Sequence, residues 1–131
     1  MDPSRPRPVS IADALSGVQL LRDRTPHTTD EEAADAFALL ASYREGGVFV
    51  GHWAGTTEWE RHPVADEIVL VVDGRTTIFF LAEDGEHSAA LEPGDLVVVP
   101  QGFWHRLEAP EGVKLLSVTP QPTGHAAHRP I

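Results

Sequence analysis

The chain of 131 residues contains no cysteine. Disulfide bonds, zinc–thiolate sites and thiol nucleophiles are therefore excluded, and any metal must be held by histidine, aspartate or glutamate. No apolar run approaches the roughly 18 residues that a membrane-spanning helix needs. The N-terminus also lacks the apolar core of a signal peptide. These absences predict a cytoplasmic protein without a membrane partner.

Basic residues are scarce. Ten lysines and arginines stand against twenty acidic residues, which gives a formal net charge of −10. A surface this acidic repels phosphate backbones and anionic lipids, so we expect no nucleic-acid partner and no membrane-surface partner. The length suits one domain with a sizeable core, and the hydrophobic fraction of 41% is typical of a globular protein.

The segment over residues 46–120 has the pattern of a β-barrel. About eight short apolar runs follow one another there, separated by turns rich in glycine, proline and aspartate. Asp73-Gly74 and Asp84-Gly85 are the clearest hairpin turns, because glycine accepts positive φ. With no helix between the runs, the pattern predicts a sandwich or a jelly-roll barrel.

A helix is indicated before the strands, over residues 29–45. The segment Thr29-Asp30-Glu31-Glu32 has the form of a capping box. Ala33, Phe37 and Leu40 then recur at spacings of four and three, which gives one apolar stripe. We predict that this helix packs on the barrel or on a partner chain.

The two ends of the chain carry weaker patterns. Residues 1–28 form a proline-containing arm with short apolar pieces at 9–11 and 18–21, and each piece is a candidate edge strand. Such an arm could lie across a neighbouring subunit. Residues 121–131 are predicted to be an unpatterned tail.

Two segments of the predicted barrel carry candidate ligand residues. In the first, residues 60–74, Glu60 and His62 are two apart and therefore share a face of a strand. Pro63 breaks that strand, so Glu67 can open the next one and point inward. In the second, residues 94–105, an apolar strand and a tight turn lead to His105.

His62, Glu67 and His105 together supply two imidazoles and one carboxylate. This composition resembles a facial triad, which leaves open positions on a metal for a substrate or dioxygen. Glu60 would be a fourth ligand or a nearby base. Imidazole and carboxylate without sulfur favour a divalent ion of Fe, Mn, Ni or Zn, and ligand type alone does not choose among them. The alternative is a solvated charged turn.

Several large side chains next to these residues could wall a pocket. Trp59 precedes Glu60, while Phe103 and Trp104 precede His105. Val69 should point into the barrel from the same strand as Glu67. The alternative for the aromatic residues is the core, because the side chains of a small barrel fill its interior.

The first segment resembles the first signature motif of the cupin superfamily. That motif reads His-x-His, three or four residues, Glu, six residues and Gly, and this chain has Glu60-x-His62, four residues, Glu67, six residues and Gly74. Glu60 therefore replaces the first histidine. Two histidines and two glutamates would form a harder, more anionic site, which favours Mn(II), Fe(II) or Zn(II).

The second segment resembles the second cupin motif. That motif reads Gly, five residues, Pro-x-Gly, two residues and His, and the chain has Gly94, five residues, Pro100-x-Gly102, two residues and His105. The asparagine that usually follows is absent. The resemblance covers about residues 46–120 and implies an all-β, double-stranded β-helix barrel with one N-terminal helix.

The resemblance to cupins also carries expectations about function. It implies a divalent metal held by Glu60, His62, Glu67 and His105, with Glu60 or Glu67 taking the proton. The substrate would be a small molecule, and dioxygenase, isomerase, decarboxylase and lyase chemistry are all compatible with the fold. The alternative is a non-catalytic module that binds a small ligand. A homodimer is the expected assembly.

Overall fold

The computed structural model describes residues 5–130, and its main feature is a ten-stranded sheet that curls into a barrel. The prediction of an all-β barrel is confirmed, and the N-terminal part of the chain contributes two short helices. No helix in residues 5–130 has the length and apolar character that crossing a bilayer requires. The strands are β1 Leu21–Arg24, β2 Phe37–Tyr43, β3 Gly46–Thr56, β4 Trp59–Arg61, β5 Glu67–Gly74, β6 Thr76–Ala82, β7 Gly85–Leu91, β8 Leu96–Val99, β9 His105–Pro120 and β10 Gly124–Ala126.

Strand β9 joins the two sides of the barrel. Its first part pairs with β4 and β6, and its second part pairs with β3 and β5. The sequence predicts two strands here, divided by a turn at Pro110-Glu111-Gly112. The chain instead continues as one 16-residue strand, and its register with β3 shifts at that point. One continuous strand therefore connects both halves of the barrel.

The helix predicted over 29–45 is wrong beyond its first turns. The capping box forms, since Thr29 Oγ1 accepts from the Glu32 amide at 3.1 Å and the Glu32 carboxylate accepts from the Thr29 amide at 3.0 Å. Helix α2, however, spans only Asp30–Ala33, and after a 3₁₀ turn the chain enters β2. Antiparallel pairing of β2 with β3 outweighs the local helical pattern.

The N-terminal segment also differs from the prediction. Residues 9–11 do not form a strand, because the hydroxyl of Ser10 caps the short helix α1, Ile11–Ser16, by accepting from the Asp13 amide. The second apolar piece leads into β1, which runs parallel to β3. Residues 1–4 of the predicted arm lie outside the described residues.

The barrel interior explains where the polar site lies. On β5 the buried side chains alternate as expected, with Glu67, Val69 and Val71 facing inward. Val69 and Val71 belong to the core cluster, which also includes Trp53 and Ile78. Glu67 continues the same inward row at one end of the strand, so the sheet places its carboxylate at the end of the apolar core.

Gly55 allows β1 to approach the barrel closely. Its φ is +124°, and a Cβ atom there would lie 2.1 Å from the carbonyl oxygen of Arg24. Gly85 has the same φ of +124°, but a Cβ atom there would meet no atom within 4 Å. The two positions therefore share the backbone strain and differ in the steric clash.

We predict that Gly55→Ala destabilises the protein more than Gly85→Ala. Both variants carry the cost of a left-handed residue, but only Gly55→Ala forces β1 away from β3, which adds roughly 1–3 kcal/mol. Urea denaturation of the two variants measures this difference in unfolding free energy. Equal losses would show that β1 does not need its close contact with Gly55.

Candidate metal centre

Three strands and one loop bring the four predicted ligand residues together. Glu60 on β4 pairs directly with His105 on β9, and Glu67 opens β5. Oε1 of Glu67 lies 3.0 Å from Nε2 of His105 and 3.3 Å from Nε2 of His62. Ligand atoms of Glu60, His62 and His105 all lie within 4.8 Å of one another. The separate segments thus converge on one point inside the barrel.

The loops that carry the histidines are tied to each other. The amide of Gly102 donates to the carbonyl of His62 at 2.9 Å. Gln101 donates from its side chain to the Pro63 carbonyl at 2.7 Å and from its amide to Asp66 Oδ1 at 2.8 Å. Gly102 has a φ of +83°, which glycine adopts without the strain that a side chain would add. These hydrogen bonds hold the His62 loop against the turn before His105.

Both ring nitrogens of His105 face acceptors. Nε2 lies 3.0 Å from the Glu67 carboxylate, and Nδ1 lies 3.1 Å from the carbonyl oxygen of Phe103. Burial opposes the charged ring, but the Glu67 hydrogen bond and charge outweigh it and raise the pKa of His105. When Nε2 loses its proton, the Phe103 carbonyl still holds the proton on Nδ1. The tautomer that remains presents a free Nε2 lone pair to a metal.

His62 presents a buried nitrogen that makes no hydrogen bond within the described residues. Its side chain is 2% exposed, and Nδ1 lies within hydrogen-bond distance of Thr123 Oγ1, at 3.1 Å. Its Nε2 makes no hydrogen bond to any residue between 5 and 130. Leaving a buried polar atom unpaired costs about 1–3 kcal/mol. A divalent ion among these donors would satisfy this nitrogen, so the residues fit a metal.

Glu67 is the fixed anion of the site. Burial opposes its charge, but the hydrogen bond with His105 and the nearby ring of His62 lower the pKa of Glu67 to about 2. Its second oxygen, Oε2, accepts a hydrogen bond from Thr119 Oγ1 at 2.6 Å. Glu67 is therefore an oriented carboxylate at neutral pH.

Glu60 behaves in the opposite way. Its side chain lines a cavity and is otherwise surrounded by protein. Burial, together with the charge of Glu67, raises the pKa of Glu60. No hydrogen bond from residues 5–130 to its carboxylate offsets this effect. The two predicted catalytic carboxylates therefore have different environments within one site.

A cavity of about 330 Å³ is lined by three of the four residues, Glu60, Glu67 and His105. Its lining combines apolar side chains with hydroxyl, amide and charged groups. The lining residues are Arg24, Asp30, Phe37, Phe49, Trp53, Thr57, Glu60, Glu67, Val69, His105, Leu107, Leu115, Ser117, Thr119, Gln121, Thr123 and His125.

Val69 lines this cavity, and Trp59, Phe103 and Trp104 are not among its lining residues. Trp59 is next to Glu60 on β4 and faces the other way, where its ring lies 5.4 Å from the guanidinium of Arg106. Phe103 and Trp104 line a separate surface depression beside the β6–β7 turn. Because successive side chains of a strand point to opposite faces, the sequence alone predicts that Glu60 and Trp59 do not share a face of β4.

The sequence pattern missed several residues of the site. Thr119 belongs to the inward row of β9, and Thr123 follows that strand. His125, in the predicted unpatterned tail, lies on β10 opposite Glu60 and contacts Glu58 Oε1 at 2.5 Å. Arg24 reaches the cavity from β1. No local motif marks these residues, because each depends on a long-range strand pairing.

Comparison with known proteins agrees with this geometry. The family model described as "Cupin domain" matches residues 50–119, which is more than half of the chain. The chain belongs to the cupin family. The matched region contains all four candidate ligand residues and ends at Thr119.

Individual relatives of this cupin are distant. Auxin-binding protein ABP19b from Prunus persica is 38% identical over 52 residues, which are 39% of this chain and 25% of that protein. The chain therefore matches only about a quarter of that curated relative. Protein NMB1881 from Neisseria meningitidis has a similar structure, with a TM-score of 0.62 and 19% identity over 85% of this chain and 96% of that one.

A second structural neighbour is an enzyme. The hydroquinone 1,2-dioxygenase PnpCD, solved in complex with Cd2+ and 4-hydroxybenzonitrile, has a TM-score of 0.55 at 21% identity, over 64% of this chain and 63% of that one. At such identities the similarity shows the shared fold alone.

We predict that His62→Ala and His105→Ala each remove bound metal. Protein produced in metal-supplemented medium should hold close to one divalent ion per chain, because each imidazole supplies a donor that no neighbour replaces. Elemental analysis of the purified variants measures the loss, and His128→Ala, an exposed histidine, is the matched control. Full metal content in either buried-site variant would contradict the assignment of that histidine.

Proposed function

We propose that this cupin is a metal-dependent enzyme acting on a small organic substrate. His62, Glu67 and His105 would hold one divalent ion of Fe, Mn, Zn or Ni, with Glu60 as a fourth ligand or a nearby base. The observation that carries the proposal is the unpartnered, buried Nε2 of His62, which lies 3.3 Å from Glu67 beside a cavity of about 330 Å³. A ligand set that opens onto a cavity of this size can hold both an ion and a small molecule.

The surrounding residues orient the ligand atoms. The Phe103 carbonyl fixes the ring of His105, Thr123 lies against Nδ1 of His62, and Thr119 holds Oε2 of Glu67. Such partners set the tautomer and the direction of metal ligands. A divalent ion at this point would supply Lewis-acid polarisation of a substrate oxygen and, for a redox-active metal, oxygen chemistry.

Glu60 is the better candidate for the proton-accepting group. Oε2 of Glu67 accepts from Thr119, and Oε1, which faces Nε2 of both histidines, would be taken up by the ion. Glu60 lines the cavity, and no hydrogen bond of its carboxylate to another residue appears among the described positions. It can therefore approach a substrate proton while Glu67 keeps the histidines in place.

The residues of the site restrict the reactions that the cupin fold allows, but they do not specify a single reaction. A metal centre with an adjacent carboxylate base supports dioxygenase, isomerase and lyase chemistry on a substrate with an oxygen donor. The dioxygenase PnpCD is compatible with this proposal as a structural neighbour. The alternative is a module that binds a small ligand without converting it. An activity test distinguishes this module from an enzyme.

We predict turnover that depends on Glu60. The metal-loaded protein is screened by NMR with hydroxy and keto compounds small enough for the cavity, and each compound that binds is then followed over time. At least one should be converted, and Glu60→Gln should slow its conversion about 100-fold or more, because a positioned base contributes roughly 10²–10⁴-fold.

The control for this experiment is Glu83→Gln, which changes an exposed glutamate outside the cavity. Metal content is measured for both variants, so that loss of the ion is not mistaken for loss of the base. Binding without conversion of any compound would favour the ligand-binding module over the enzyme.

We also propose that the protein is a cytoplasmic homodimer. Large apolar side chains are exposed on two strands, Leu39 and Tyr43 on β2 at 58% and 51%, and Leu96 and Val98 on β8 at 55% and 48%. Sedimentation should give twice the chain mass of 14.2 kDa, because a dimer would bury such residues. A mass near that of one chain would contradict the homodimer.

A further inference from the structure

Arg24 is a cation in the wall of the cavity that the metal centre does not use. It is the last residue of β1, which the parallel pairing with β3 places beside Gly55. Its guanidinium carbon lies 5.2 Å from the ring centroid of Phe37 and 4.8 Å from that of Trp53. All three residues line the cavity. The two aromatic rings thus hold the guanidinium in position at the cavity wall.

The hydrogen-bond donors of this guanidinium are unused within the described chain. Arginine carries five N–H donors, and the Arg24 side chain makes no hydrogen bond or ion pair with any residue between 5 and 130. Burial lowers the pKa of Arg24, while the charges of Glu60, Glu58 and Asp30 act in the opposite direction from a distance. Arginine nevertheless stays charged at neutral pH. Stacking on the rings accounts for the position of the guanidinium but leaves its donors without acceptors.

The charges around the cavity indicate what these donors would bind. Glu60 and Glu67 are the anions of the metal centre, and a divalent ion would balance both charges. Asp30, at the exposed rim, is the other acidic group in the lining. Among residues 5–130, Arg24 is the only lysine or arginine that lines the cavity. With a divalent ion bound, the cavity would therefore retain the positive charge of Arg24, which suits an anionic group on the ligand.

We propose that Arg24 binds the carboxylate of the substrate, so that the substrate is a small organic acid. A guanidinium fork matches a carboxylate in a bidentate arrangement, and lysine cannot reproduce that geometry. Apolar residues of the lining, among them Phe49, Leu107 and Leu115, would contact the carbon skeleton. A hydroxyl or keto oxygen of the same acid would then face the metal centre, and this part of the inference rests on the proposed function.

Matched acids and amides test the contact directly. Acetate, pyruvate and benzoate are compared with acetamide, pyruvamide and benzamide in calorimetric and NMR titrations of the metal-loaded protein. The wild type should prefer at least one acid over its amide. Arg24→Gln should weaken binding of that acid about tenfold or more, because charge-assisted hydrogen bonds contribute more than neutral ones, and should leave the amide unchanged.

Two further variants separate binding from folding. Arg24→Lys keeps the charge and should give an intermediate loss of acid binding, since it lacks the planar fork. Arg22→Gln, an exposed arginine on the same strand, should change neither ligand. Thermal denaturation and metal analysis accompany each titration, so that a folding defect is recognised.

Two results would overturn the proposal. One is the absence of any acid-over-amide preference in the wild type, and the other is an unchanged preference in Arg24→Gln. If thermal stability is lost in both Arg24 variants while the preference is unchanged, Arg24 serves the fold alone. Failure of the proposed function gives a different result, since the wild type would then hold no metal or convert no ligand while the dependence on Arg24 remained measurable.

Discussion

The carboxylate of Glu67, buried between the imidazoles of His105 and His62, is the interaction on which the site depends. A buried anion of this kind is tolerated only when hydrogen bonds and opposite charge compensate its lost hydration. Glu67 has both, since Thr119 holds one oxygen and His105 the other. His62 completes the arrangement with a nitrogen that no described residue satisfies. The site is thus rigid in its carboxylate and open at one imidazole, which are the properties of a preorganised ion site.

The barrel provides this arrangement because β9 is shared by its two sides. One strand carries His105 at its start and Thr119 near its end, and it pairs with the strands of both Glu60 and Glu67. Gln101 and Gly102 then join the loop of His62 to the turn before β9. The site therefore depends on long-range strand pairing more than on any local element, and a change in the sheet register would separate all of its members.

Sequence patterns predict the site better than its surroundings. Alternation and the break at Pro63 place Glu60, His62 and Glu67 on one side, because these are local properties of strands. The helix predicted over 29–45 begins with the expected capping box but ends early. The pairing of β2 with β3, which is non-local, outweighs the local helical pattern. Trp59 does not line the cavity, because side chains alternate along β4 and its ring lies against Arg106 on the face opposite to Glu60. Arg24 and His125 have no local signature at all, since β1 and β10 reach the cavity only after the barrel forms.

The most direct test of this account is a crystal structure with anomalous diffraction data collected above and below the absorption edge of the bound metal. We expect one strong anomalous peak per chain, in contact with Nε2 of His62, Nε2 of His105 and the carboxylates of Glu60 and Glu67. A peak that lacks Glu60 would reduce the ligand set to three residues. The absence of any peak at this position, in protein purified from metal-supplemented medium, would contradict the central claim.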